Sequence, residues 1–329
     1  MAERDSDRRT RRVSTDDGLI GVDVHERRGP GDGPHVVVLG GVHGDEIGGI
    51  VAAGTVADSE WALRSGTLTV VPIAHEAAHR ADARVSPTDG GNLARSFPGR
   101  SDGGATERLA HLLASQVLGA ADIVIDLHTS NRGADMPLFV GCLDDGSDAA
   151  DEAVRLAYGF GMPMLWTHPT LGPGRTLTLA ADRGIPALYV ESPVGGVLDS
   201  THVRAYVDGV RSVLEAYGMT GVRSARPAPS LWVHGDGDTD SFSAVTVDGF
   251  FERAVELLAS VRRGDVVGRV LDAFGCEQET VTAPTDGVVT TLQRAAVVAA
   301  AQPVIGVTPV RPEVLGLASD DLVMTRSTP

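Results

Sequence analysis

Apolar positions along the chain fall into two regimes that meet near residue 222. Up to about residue 217, short unbroken runs rich in Val, Ile and Leu alternate with longer stretches of helical period. The runs at 36–39 (VVVL), 68–73 (LTVVPI), 123–127 (IVIDL), 138–141 and 187–190 have the length and β-branched content of strands buried on both faces. Helical spacing marks 47–56, the segment carrying Leu109, Leu112, Leu113, Val117 and Leu118, and the stretches 151–160 and 202–217. Strands alternating with helices predict an α/β fold, with a mixed, mostly parallel sheet flanked by helices. Residues 75–104 show no period and read as a long loop excursion, a type of segment that commonly carries function. Residues 167–176 (THPTLGPGRT) read as a second loop, and residues 1–17, polar and rich in Arg and Asp, as a flexible arm.

Beyond 222 the pattern changes. Pro227 and Pro229 mark a linker, and SAVTVDGFF, GDVVGRVLDAFG, ETVTAPTDGVVTTL and PVIGVTP follow as short Val/Thr-rich segments with closely spaced turn signals. The expected organisation is an α/β domain over 1–221 and a smaller β-rich C-terminal domain over 222–329.

Composition narrows the function classes. At 329 residues with 42% apolar content, the chain can bury a sizeable core. Its net charge of −16, from 44 acidic against 28 basic residues, excludes a nucleic-acid or other polyanionic partner. Two cysteines, Cys142 and Cys276, make neither a disulfide framework nor a metal-ligand spacing. The charged start MAERDSDRRTRR lacks an apolar run of signal-peptide type, and no stretch reaches the length of a membrane span. A soluble, cytoplasmic protein is expected.

Candidate chemistry begins where the strand at 36–39 runs into GGVHGDE. Gly40, Gly41 and Gly44 allow a sharp turn that carries His43 and, three positions on, Glu46. An imidazole and a carboxylate at that spacing can converge on one cation and suit zinc. His128 follows the strand at 123–127 in the same way. Parallel strands would deliver both imidazoles to one sheet edge, where open α/β sheets bind ligands. His43, Glu46 and His128 then make three protein ligands with one position open, the arrangement of a catalytic zinc site. Asp126, two residues before His128, can orient that ligand as an acceptor. The other histidines have no partner at ligand spacing except His75 with His79, and His168 lies in the 167–176 loop.

Four motifs, GGVHGDE, NLARSFPG (92–99), DLHTS (126–130) and YVES (189–192), occur in the order seen in the succinylglutamate desuccinylase/aspartoacylase family, relatives of the zinc carboxypeptidases. The resemblance spans roughly residues 30–200 and implies a zinc-carboxypeptidase-like sheet. It implies that His43, Glu46 and His128 bind one Zn²⁺ per chain and that Glu191 is the general base. Amide hydrolysis needs such a carboxylate, to take a proton from water and return it to the leaving nitrogen. Arg95 resembles the family arginine that meets the substrate, and is expected to help stabilise the oxyanion. Ala94 departs from the Asn found in many members, which weakens α-carboxylate recognition by that pair and leaves Asn92, two residues earlier, to bond either backbone or substrate. Arg84 and Arg175, in the flanking loops, are further substrate-binding candidates. THPTLGPGRT and YVESP look similar to the N-acetyl-diaminobutyrate deacetylase-like branch.

The tail segments VTAPTDGVVTTL and PVIGVTP resemble half of a lipoyl-like barrel sandwich, yet the chain contains no Lys to carry a prosthetic group. The tail is expected either to flank the site mouth or to make homo-oligomer contacts. The leading expectation is a zinc-dependent amidohydrolase acting on a small N-acylated amino acid or diamine derivative. A short-peptide metallocarboxypeptidase, and a non-catalytic zinc- or metabolite-binding protein on the same fold, are the alternatives.

Overall fold

Ten strands precede residue 235 in the computed structural model, which describes residues 8–221, 225–235 and 243–310. In chain order they are β1 (Arg8–Ser14), β2 (Gly21–Arg28), β3 (Gly31–Gly40), β4 (Ser65–Val71), β5 (Ile123–Leu127), β6 (Ala134–Asp135), β7 (Phe139–Leu143), β8 (Met164–His168), β9 (Ala187–Glu191) and β10 (Leu231–His234). All but β6 form one sheet in the order β1-β2-β4-β3-β5-β9-β7-β8-β10. The central strands β4, β3, β5 and β9 are parallel. β7 runs antiparallel to β9 and parallel to β8, which in turn pairs parallel with β10. The predicted mixed, mostly parallel sheet is thus present.

The helices α1 (Ile47–Asp58), α2 (Glu76–Arg80), α3 (Ala105–Gln116), α4 (Asp148–Tyr158), α5 (Thr176–Asp182) and α6 (Ser200–Ala216) complete this part. Alternation along the strands sorts the packing. Val36, Val38, Ile125 and Leu127 meet apolar residues of α1, α4 and α6 on one face. Val37, Leu39 and Val124 meet those of α3 and α5 on the other. Asp126 falls in this second set by period and so introduces a carboxylate on the α3/α5 face. None of these helices is long and apolar enough to cross a membrane.

Three expectations need correction. Residues 8–14 are an edge strand rather than part of a flexible arm, paired with β2 from Arg8↔Arg27 to Ser14↔Gly21. Val13 is buried there, and Arg12 donates to Asp23 at 3.0 Å and Glu76 at 2.7 Å, so charge pairing replaces the apolar alternation that would have revealed the strand. Residues 1–7 of the expected arm lie outside the described residues. The 167–176 stretch is only partly loop: Thr167 and His168 end β8, and Thr176 begins α5. Within 222–235, residues 222–224 lie outside the described residues, and β10 belongs to the large sheet through its pairing with β8.

Beyond β10 the strands are β11 (Ser243–Ala244), β12 (Gly249–Arg253), β13 (Ser260–Val261), β14 (Val266–Leu271), β15 (Glu277–Thr282), β16 (Gly287–Gln293), β17 (Val297–Val298) and β18 (Pro303–Thr308). They make two antiparallel sheets, β11-β18-β16-β13 and β15-β14-β12-β17, over their own core of Val245, Phe251, Val267, Val289 and Ile305. β6, in the connection between β5 and β7, pairs with β16, and Arg253 and Arg294 both reach Asp135. The β-rich part is therefore fastened beside the loop that follows His128.

Candidate functional site

The turn after β3 holds its shape because two positions admit only glycine. Gly41 has φ of +63°, and a Cβ on Gly44 would lie 2.1 Å from the Ala78 backbone in α2. Glu46 directly precedes α1, but its side chain does not cap that helix. Its carboxylate instead lies between two imidazoles: Oε1 is 2.6 Å from His43 Nδ1 and Oε2 is 2.8 Å from His128 Nδ1. Arg84 donates to Oε1 at 2.8 Å and the Thr129 N–H to Oε2 at 3.1 Å. From α6, the Tyr206 hydroxyl donates to the His128 carbonyl at 2.7 Å and fixes that backbone. His43, Glu46 and His128 are all buried, and one ligand atom from each lies within 4.8 Å of the others.

Each imidazole is also held from behind. His43 Nε2 lies 3.1 Å from Asn92 Oδ1, and that oxygen accepts from the Ala94 N–H at 3.0 Å. His128 Nε2 lies 3.0 Å from Asp126 Oδ2, which accepts the Thr176 hydroxyl at 2.5 Å. Both rear partners are acceptors, so each Nε2 carries a proton and each Nδ1 is the nitrogen that faces a Glu46 carboxylate oxygen. At hydrogen-bond distance each Nδ1 and its carboxylate oxygen must share either a proton or a metal cation. Burial pushes the His43 pKa down, which disfavours a proton in that role. For His128 burial also opposes charge, but the Asp126 and Glu46 carboxylates outweigh it and raise the pKa well above the usual value. Burial likewise opposes ionisation of Glu46; His43 and His128 outweigh it and hold the carboxyl well below its ordinary range. Two imidazole nitrogens and a carboxylate, with acceptors orienting the rear nitrogens, fit a divalent metal of zinc type.

A cavity of about 60 Å³ opens beside these groups on the α3/α5 face of the sheet. Glu191, at the end of β9, lines it. Burial, then the negative charge of Glu46, pushes the Glu191 carboxyl up to about 8, and Oε2 has no hydrogen-bond partner. Arg84, Arg95 and Arg175 also reach the lining. The Arg84 guanidinium contacts Glu46, and Arg95 donates to the neighbouring Ala94 carbonyl at 3.1 Å. Arg175 immediately precedes α5, in a loop packed on the 92–97 segment through the Phe97 N–H to Gly174 carbonyl bond of 3.0 Å.

Residues 32–217 match the catalytic domain of succinylglutamate desuccinylase/aspartoacylase. The chain belongs to this family. It is 30% identical over 262 residues to the N-alpha-acetyl-L-2,4-diaminobutyric acid deacetylase of Halomonas elongata, a match covering 77% of this chain and 74% of that one. Its fold is similar to that of a succinylglutamate desuccinylase from Silicibacter sp., with a TM-score of 0.82 and 25% identity, over 94% of this chain and 98% of the other. It is also similar to the product-bound ectoine utilization protein EutE (DoeB) of Ruegeria pomeroyi, with a TM-score of 0.80 and 26% identity over the same shares.

Within this family fold, the residues singled out from the sequence separate by position. His43, Glu46 and His128 meet at one point, and Glu191, Arg84, Arg95 and Arg175 share the cavity with them. Asn92 is not among the cavity-lining residues; its amide oxygen serves His43 and the Ala94 backbone. Sequence reasoning missed Thr176 and Tyr189. Tyr189 stands two residues before Glu191 on one strand, so period two puts both side chains on one face, a signal that was available in YVES.

Proposed function

We propose that this protein is a zinc-dependent deacylase that hydrolyses the amide of a small N-acylated amino acid or diamine derivative. The observation that carries the reading is the pair of imidazole Nδ1 atoms converging on the Glu46 carboxylate, with the Glu191 carboxyl lining the same small cavity. His43, Glu46 and His128 would hold the ion, which when bound supplies Lewis acidity toward a carbonyl oxygen and water. Glu191 has the role of proton carrier: Oε2 takes a proton from the attacking water and delivers it to the leaving nitrogen.

Arg84, poised over the Glu46 carboxylate, and Arg95, on the wall, supply donors for the oxygen on which negative charge develops. Asn92 and Asp126 hold the rear nitrogens and so orient both rings. The family membership and the likeness to a protein named as a diaminobutyric acid deacetylase support an amide-cleaving role on a small N-acyl amino acid.

The test is metal analysis of the purified protein with a panel of N-acetyl, N-succinyl and N-aspartyl substrates. The expected outcome is about one zinc per chain and turnover of at least one N-acyl amino acid or diamine derivative. Glu191→Gln should keep the metal and lose about 10²–10⁴-fold in kcat. A zinc-loaded protein inert toward the whole panel would instead favour a binding role.

A further inference from the structure

One buried group on the cavity wall has no part in the chemistry above. His168, at the end of β8, places Nε2 at 2.7 Å from the Tyr189 hydroxyl, and the two rings stack at 25° with centroids 5.7 Å apart. Both side chains are buried and both line the cavity. They stand on strands that are not neighbours, because β7 runs between β9 and β8. Contact requires the Tyr189 ring to lie across β7, and the residue it crosses is Gly141: a Cβ there would sit 2.1 Å from Tyr189 Cε1 and 2.4 Å from Cζ. A glycine in a central strand weakens it, so its presence marks a place where another group must approach closely.

Counting protons shows what the pair offers. A neutral imidazole and a phenol bring two polar hydrogens, and the bond between them uses one. The second resides either on the Tyr189 hydroxyl or on His168 Nδ1. His168 Nδ1 is buried without a hydrogen-bond partner, so in either tautomer one polar hydrogen and one acceptor position remain unsatisfied within the protein. Burial, reinforced by the charges of Arg175 and His234, lowers the His168 pKa to about 3 and keeps the ring neutral. Burial also raises the Tyr189 pKa well above its ordinary value and keeps the phenol protonated. With His168 donating from Nε2, the phenol hydrogen is the free one, and the wall then offers a neutral hydroxyl donor in the same cavity as the Arg175 guanidinium, a combination that suits a carboxylate oxygen.

We propose that His168 and Tyr189, with Gly141 making room for the phenol ring, form a specificity-determining pair that gives one hydrogen bond to a substrate carboxylate. The inference rests on the deacylase reading and adds to it the recognition of one substrate group. The carboxylate can belong to the amino-acid half or to a dicarboxylic acyl half, and the arms of the test separate the two.

The variant Tyr189→Phe keeps the ring across Gly141 and removes the hydroxyl. It is compared with wild type on an N-acetyl amino acid, the matching N-acetyl amine without a carboxylate, and an N-succinyl amine. Expected is a fall in kcat/KM of about 10–100-fold, mostly in KM, on whichever substrates carry the recognised carboxylate, with the carboxylate-free amide unaffected and zinc content unchanged. A loss confined to the N-acetyl amino acid assigns the oxygen to the amino-acid half; a loss confined to the N-succinyl amine assigns it to the acyl half. Equal losses on all three substrates, or no loss on any, overturn the pair as a carboxylate reader. His168→Gln, which keeps a polar partner for Tyr189, is expected to show the same substrate ranking with a smaller loss and guards against a folding defect in the first variant. A wild type inactive on every amide removes the deacylase reading itself, whereas an active wild type with an indifferent Tyr189→Phe removes only this inference.

Discussion

The two imidazoles at the centre of the site share one carboxylate and differ in what stands behind them. His43 sits on the Gly-rich turn after β3 and is backed by the neutral amide of Asn92. His128 directly follows β5 and is backed by the Asp126 carboxylate, which Thr176 holds in turn. Burial is common to both rings, yet the pKa falls for His43 and rises for His128. Desolvation alone would lower both; the Asp126 carboxylate, with Glu46, reverses it at His128, whereas at His43 the charges of Arg84 and His128 add to it. The same difference bears on metal affinity, because a carboxylate behind an imidazole raises its basicity more than an amide does.

The largest effect should come from removing what the two rings share. Glu46→Gln keeps the shape but loses the charge and one acceptor position, and its amide would donate to one of the facing Nδ1 lone pairs. We expect metal affinity to fall by more than about 100-fold, beyond the usual effect of losing a rear partner. Competition against a chromophoric chelator measures this. Retention of wild-type affinity would mean that the ion is held without Glu46.

A smaller effect should separate the two rings. Asp126→Asn should weaken metal binding by about 10–100-fold, the usual range for a lost rear partner, while Asn92→Ala should cost less because a neutral acceptor is removed. Thr176→Val, which leaves Asp126 in place but releases its carboxylate, should fall below Asp126→Asn in the same titration. If Asn92→Ala proves the more damaging change, the asymmetry inferred from the charges is wrong.

How much of this was legible beforehand depends on whether the determining contacts are local. The turn with His43 and Glu46, and the placement of His128 and Glu191 at strand ends, follow from apolar runs that stop at a polar residue, and the structure brings these groups to one cavity. Nothing local couples Asn92 to His43 or Thr176 to Asp126, since those pairs are 49 and 50 residues apart and meet only when loops pack. β8 was hidden because Thr167 and His168 run straight into a Pro/Gly-rich segment, while its burial comes from β7 and β10 on either side. β1 was hidden because its stabilising contacts are ion pairs of Arg12 rather than an apolar stripe. The role of Gly141 is visible only once the Tyr189 ring crosses it.

A third buried imidazole sharpens the comparison with the smallest expected effect. His168 resembles His43 in burial and in lacking a carboxylate behind it, and its pKa is likewise lowered, to about 3. Its partner is the neutral Tyr189 hydroxyl. Between the ordinary histidine value of about 6.5 and this folded value, the unfolded chain binds a proton that the folded chain refuses. Stability contributed by the neutral ring is therefore complete above about pH 6.5 and declines as pH falls. Each pH unit is worth about 1.4 kcal/mol, so lowering the pH from 6.5 to 5 should cost the wild type about 1–2 kcal/mol through this one residue. His75, buried and lowered to about 4, acts in the same direction and remains in any His168 variant. Denaturant unfolding of wild type and His168→Gln at the two pH values isolates the term. The variant should be less stable at pH 6.5 and should close about 1–2 kcal/mol of that gap at pH 5. Parallel stability curves would show that His168 accepts a proton in the folded state, and that burial does not fix the sign for this ring.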